Sequence, residues 1–191
     1  MPMTRLRRES EEQIIVSGNQ KQPKVWRGIL VGLIAGLAAS WTMDRFQDAW
    51  IAVSPPDDSK KKEDQARASE DGGNSQHDAT AKAASAISEQ LFEHKLTRAE
   101  KKIAGPAVHY AVGATSGIVY GIASEFLPEV TIGFGLPYGT AFWLVVDEGA
   151  VPLLRLSKPP TAYPASTHIY ALASHLVFGA TTEGVRRLLR G

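Results

Sequence analysis

Charge is unevenly spread along this chain, and four stretches carry almost none of it. The first covers residues 28–43, between Arg27 and Asp44. The second covers 103–124, between Lys102 and Glu125, with His109 inside it. The third runs over 130–146, between Glu129 and Asp147. The fourth runs over 159–182 and holds His168 and His175. A membrane-crossing helix needs roughly 17–25 mostly apolar residues. The second and fourth stretches reach that length, and the first and third reach it with their flanks near the headgroups. A soluble helix would alternate apolar and polar faces at helical spacing. Residues 28–40 show no polar face. Trp26, Trp41 and Trp50 lie around the first stretch, as interfacial aromatics do. The first stretch lacks the short apolar core and cleavage site of a signal peptide.

Glycine recurs every four residues within these stretches. Gly28, Gly32, Gly36 and Ser40 form one row. Gly105, His109, Gly113, Gly117 and Gly121 form a second, and Gly135 and Gly139 a third. Each such glycine would cost a soluble helix about 1 kcal/mol relative to alanine. In lipid a row of small residues lets another helix approach closely. The rows, with Gly179 in the fourth stretch, therefore predict glycine-zipper seams in an all-α, four-helix transmembrane bundle.

The polar remainder divides the chain. Residues 1–24 form a basic tail, 25–50 the first membrane helix, and 51–78 a polar linker with the composition of a disordered segment. The run Lys60, Lys61, Lys62 meets Glu63 and Asp64 at once, so it reads as solvated linker. Residues 79–95 have Ala84, Ile87 and Leu91 opposed by Lys82, Glu89 and Glu93. They predict a short amphipathic helix on the membrane surface or capping the bundle. Residues 96–191 hold the other three membrane helices. Thr97 and Glu100 have capping-box spacing, with Leu96 before them as a staple. Pro106 predicts a kink. Residues 125–129 leave room only for a tight hairpin between the second and third helices.

Composition excludes several activities. A net charge of +1 is too small for a general nucleic-acid binder, and the absence of cysteine removes disulfides, thiol catalysis and Cys-ligated zinc. No P-loop or Gly-x-Ser-x-Gly motif is present. Ser174 and His175 are adjacent and point to different helix faces, so they make no nucleophile–base pair. A non-enzymatic protein without cofactor or metal is expected.

Ionisable groups at membrane depth face the protein interior or water. His109 and Glu125 bracket one glycine row, Asp147 continues the line of Gly135 and Gly139, and Asp44 extends the first row. His175, Gly179 and Glu183 make a further line, with His168 two turns before. His109 and Glu125 are roughly 24 Å apart along a helix, so they belong to opposite membrane faces. A tight hairpin returns Asp147 to the depth of His109, where His168 or His175 can join it. Three roles are open to the set His109, Asp147, His168 and His175, with Asp44, Glu125 and Glu183 as secondary positions. They can fix helix register by interhelical hydrogen bonds, respond to protons or ions, or hold a metal through His109, Asp147 and His175.

The second half of the chain also resembles a known family. The residues that carry the resemblance are His109 with Tyr120, residues 125–128, Asp147 with Pro152, residues 158–160, 174–179 and 183–187, and, in the opening helix, 32–36 and 44–46. In these the chain is similar to the DUF1440 family of YagU-like inner-membrane proteins. The resemblance implies a small multi-pass protein of the bacterial inner membrane and assigns no activity. The expected partners are the lipid bilayer and a second copy of the chain, with no nucleic acid. The expected role is membrane homeostasis or a pH or stress response; a small transporter or channel is the alternative. An even number of spans puts both termini on one side. Arg5, Arg7, Arg8, Lys21, Lys24 and Arg27 before the first helix, and Arg186, Arg187 and Arg190 after the last, favour the cytoplasm. Lys95, Arg98, Lys101 and Lys102 lie on what would then be the outer side.

Overall fold

The computed structural model describes residues 24–53 and 75–190. The tail 1–23 and most of the expected linker, including Lys60–Lys62, lie outside the described residues. Five main helices follow in order: α1 (Val25–Val53), α2 (Ser75–Phe92), α3 (Arg98–Phe126), α4 (Leu136–Val145) and α5 (Ala165–Arg190). α4 runs on through a π-turn at Val146–Ala150 and one last turn at Val151–Leu153. The described residues contain no strand.

α1 and α3 pack antiparallel along their glycine rows. A Cβ built on Gly28 would lie 2.7 Å from the carbonyl oxygen of Gly121; Gly32 meets Gly117, and Gly36 meets Gly113, closer still. Only glycine lets the two backbones come this near. The same contact recurs where Gly135 meets Gly179 and Gly139 meets the carbonyl of His175. All five glycine contacts place backbone at the seam, so dispersion contacts between helices add to the small core around Met43, Tyr120 and Phe178.

The burial pattern of α1 follows from this. Its buried residues are Gly28, Val31, Gly32, Ala35, Gly36, Ala39, Ser40, Met43 and Gln47. Its large side chains, Leu30, Ile34, Leu37 and Trp41, face outward. Small residues are inside and large apolar residues outside, the reverse of a soluble helix. Among the described residues α1 is the helix long and apolar enough to cross a membrane by itself.

α3 begins where the capping box places it. Thr97 is the N-cap, its hydroxyl accepts from the Glu100 amide, and the Glu100 carboxylate accepts from the Thr97 amide at 2.7 Å. The helix is continuous through Pro106.

Three expected boundaries move. The third apolar stretch is not helical from residue 130: a 3-10 turn occupies Pro128–Thr131 and the α-helix starts at Leu136. The cause is local. Gly133, Phe134 and Gly135 all take left-handed φ angles, +71°, +56° and +78°, which no α-helix accepts. The connection is thus longer than the tight hairpin expected at 125–129, and the helix regains its length at the far end through the π-turn. The amphipathic helix covers Ser75–Phe92 instead of 79–95 and folds back on α3, where Thr80 and Ala81 lie against Gly105. The linker is correspondingly shorter than 51–78, because residues 51–53 belong to α1 and 75–78 to α2.

Candidate functional site: a chamber walled by histidine and carboxylate

The glycine register determines what meets His109. One turn beyond the Gly36–Gly113 contact, α3 brings His109 against the part of α1 that holds Ser40 and Asp44. The His109 Nε2 lies 3.2 Å from the Asp44 Oδ1, and the Tyr110 hydroxyl donates to the Asp44 Oδ2 at 2.9 Å. Asp44, a secondary position by sequence, is therefore the carboxylate that faces His109.

Asp147 faces the last helix. Its Oδ2 lies 3.7 Å from the His175 Nδ1. That nitrogen also lies 2.9 Å from the Ala171 carbonyl. A carbonyl only accepts, so Nδ1 carries the proton and donates it to Ala171, with the Asp147 carboxylate just beyond hydrogen-bond reach. Phe142 stands edge-on to the His175 ring, with centroids 5.3 Å apart. His175 is buried, with side-chain exposure of 3% against 19% for Asp147.

His168 pairs with Glu148, the neighbour of Asp147 in the π-turn. Nδ1 is 2.6 Å from the Glu148 Oε1, and Nε2 is 3.1 Å from the Pro160 carbonyl. Both ring nitrogens face acceptors, so the imidazolium, with two donors, satisfies both. The π-turn matters here: a widened turn directs the consecutive carboxylates Asp147 and Glu148 to two different histidines of α5.

These groups share one space. A cavity of about 430 Å³ is lined by His109, Asp147, Glu148, His168 and His175. Its other walls are mainly apolar, among them Met43, Val112, Phe142 and Phe178, and α2 closes one side with Ala79, Ala83 and Ile87. The four residues His109, Asp147, His168 and His175 anticipated as a cluster thus line one chamber, although they do so as separate pairs. Among the described residues no three of His, Asp and Glu come together to hold a metal ion, which leaves the metal role of His109, Asp147 and His175 without a site.

Glu183 and Glu125 belong elsewhere. Glu183 is fully buried; it accepts from the Tyr120 hydroxyl at 2.8 Å, from Arg186 at 2.6 and 2.8 Å and from Arg187 at 2.6 Å. Glu125 pairs with Arg190 and accepts from the Lys24 amide at 3.2 Å. The Arg187 guanidinium also lies over the Phe134 ring, 4.8 Å from its centroid. The expected line from His175 through Gly179 to Glu183 is therefore divided in function. Gly179 is spent on the Gly135 seam, and Glu183 ties α3 to α5 at the opposite end of the bundle. Glu148 and Tyr110 were not singled out by the sequence; each sits beside a residue that was.

The stretch that builds the chamber is also the stretch that matches a family. A model of the DUF1440 family, described as a protein of unknown function, matches residues 78–184. The chain belongs to the DUF1440 family. The match takes in α2, α3, α4 and most of α5; it begins before His109 and does not reach the opening-helix residues 32–36 and 44–46 of the resemblance. In this DUF1440 protein α1 precedes the matched stretch, yet it supplies Asp44 and half of the longest glycine seam. No curated protein and no solved structure matches the chain.

Proposed function

We propose that the chain is an integral protein of the bacterial inner membrane whose α1, α3, α4 and α5 regions cross the bilayer, and that it works by binding and by proton response, without catalysis. The outward-facing apolar side chains support the bilayer setting: Val119 on α3, Leu144 and Val145 on α4 and Ile169 on α5 are exposed like those of α1. α1, at 29 residues, spans about 43 Å, enough for a hydrocarbon core of about 30 Å. Lys24, Arg27, Arg186, Arg187 and Arg190 collect at one end, as Glu125 meets both Lys24 and Arg190. The excess of basic residues gives that end to the cytoplasm, with both termini. The chamber then opens toward the outer half of the membrane.

The observation that carries the function is that three His–carboxylate pairs, Asp44–His109, Asp147–His175 and Glu148–His168, tie α1 to α3 and α4 to α5 around one cavity. An imidazole gains charge within the pH range a bacterial envelope meets. Each tie is an ion pair when its imidazole is charged and loses that attraction when it is neutral. The bundle is thereby a sensor of outside pH, in the service of membrane homeostasis or a stress response. An ion path is the less favoured alternative, because the ring stack Tyr120–Tyr138–Phe142–Phe178 separates the chamber from the Glu183 end.

Amide hydrogen exchange in lipid nanodiscs between pH 5 and 8 tests this, after correction for intrinsic rates. Protection at residues 146–153 should change through the imidazole range in the wild type and lose that dependence in Asp147→Asn combined with Glu148→Gln. Flat protection in the wild type would remove the sensor.

A further inference from the structure

The chamber has the dimensions of a ligand site and a charge that selects the ligand. A cavity of about 430 Å³ falls in the range that takes drug-sized molecules, roughly 300–1,000 Å³. Its lining is mainly apolar and includes the rings of Phe142, Phe178, Tyr163 and Tyr170. Two carboxylates, Asp147 and Glu148, stand in that lining about one-fifth exposed. A carboxylate in apolar surroundings requires a countercharge. Here the group paired with each carboxylate is an imidazole, which supplies a countercharge only when protonated.

Among the described residues, the remaining charged and titratable groups around the space are few. α3 contributes His109, with Asp44 of α1 and Tyr110 behind it. α5 contributes His168, His175 and Tyr170, and the connection before it Tyr163 and Lys158, the last an exposed residue. Among the described residues, α2 contributes Ala79, Thr80, Ala83 and Ile87 to the wall. With the imidazoles neutral, the chamber carries a net negative charge. With them protonated, its carboxylates are already matched.

We propose that this chamber binds a hydrophobic organic cation, whose apolar body fills the cavity and whose positive centre sits at Asp147 and Glu148 against the surrounding rings, and that protons compete with it for those carboxylates. Ring faces add cation–π attraction of a kind that favours diffuse organic cations over hydrated metal ions. The proposal rests on the membrane-embedded chamber above and adds its ligand.

The test uses the full chain in lipid nanodiscs and two probes of nearly equal size and opposite fixed charge, tetraphenylphosphonium and tetraphenylborate. Neither titrates, so any pH dependence belongs to the protein. Equilibrium dialysis against empty nanodiscs should show saturable tetraphenylphosphonium binding at pH 8. The affinity should weaken about tenfold per pH unit once a single competing imidazole is titrated, since one proton is then taken up per cation released. Asp147→Asn with Glu148→Gln should lose at least tenfold in affinity and the pH dependence together. Ala83→Trp, which fills the chamber from α2 without touching a charge, should abolish binding. Tetraphenylborate should show no saturable binding. Equal binding of both probes, wild-type affinity in the Ala83→Trp chain, or affinity for the cation that ignores pH would overturn the proposal. Hydrogen exchange that still responds to pH without any cation binding would overturn the ligand alone and leave the sensor intact; loss of both would remove the two together.

Discussion

Gly32 of α1 and Gly117 of α3 touch backbone to backbone: a Cβ on Gly32 would lie 2.9 Å from the Gly117 carbonyl carbon and overlap its oxygen. This contact sets the register of the α1–α3 pair. The register in turn brings Asp44 to His109, so a property of two residues without side chains decides the chemistry about two turns away along α3 and about three along α1.

The seam can be tested by size. Gly32→Leu and Gly117→Leu should each destabilise the bundle by more than the roughly 1–3 kcal/mol typical of overpacking, because the obstructing atoms are backbone and cannot rotate away. Gly105→Ala should be tolerated, since its Cβ would meet its nearest neighbours at an ordinary 3.6 Å. Thermal denaturation in mild detergent gives the comparison. Equal melting temperatures for Gly105→Ala and Gly117→Leu would contradict the seam.

Glu183 makes a second, independent lock. Its carboxylate is fully buried with Tyr120, Arg186 and Arg187 around it. Removing one partner of a buried ionic network costs about 3–5 kcal/mol, because the remaining charge stays buried. Glu183→Ala should show a loss of that order in chemical denaturation. Arg187→Ala should cost much less, since the Arg187 side chain is half exposed and Arg186 remains.

The start of α3 should fray in acid. The Thr97 amide and hydroxyl, with His94 beside them, hold the Glu100 carboxyl below its ordinary pKa. A lowered carboxylate pKa contributes stability that is present above the ordinary glutamate value and is lost as pH falls through the lowered one. Amide exchange in the first turn of α3, corrected for intrinsic rates, should therefore accelerate below about pH 4. Thr97→Ala should show the faster exchange at neutral pH already. Unchanged protection in both cases would remove the cap from the account.

Membrane insertion has a simple assay. The outward-facing Leu30, Ile34, Leu37 and Trp41 of α1 should keep the protein with the membrane fraction through carbonate extraction. Replacement of Ile34 and Leu37 by lysine should weaken that retention, whereas lysine at a soluble helix's exposed positions would be neutral. Full release of the wild-type chain by carbonate would contradict the bilayer setting.

Much of this was legible in residue spacing. The four-residue glycine rows, the Thr97–Glu100 cap and the start of α3 follow from local chemistry. So does the presence of His109, Asp147, His168 and His175 around one space, because ionisable groups inside apolar helices have few places to go. The pairing within the space was not legible. Asp44 meets His109 only through the interhelical register, and Glu148 meets His168 only through a π-turn, which no local propensity marks. The third stretch misleads for a similar reason: its hydropathy is continuous across Gly133, Phe134 and Gly135, while the backbone angles there are left-handed. Hydropathy reports what a segment dissolves in, not where its helix begins.

The most direct measurement is the contact of each chamber imidazole with its carboxylate, by nitrogen–carbon dipolar NMR in bilayers. The ring of His109 should lie against the Asp44 carboxyl carbon, that of His168 against Glu148 and that of His175 against Asp147. Asp44→Asn should displace chiefly the ring-nitrogen signals of His109, Glu148→Gln chiefly those of His168, and Asp147→Asn chiefly those of His175. Signals that ignore these substitutions, or that move together whichever carboxylate is removed, would contradict a chamber built from three distinct His–carboxylate ties.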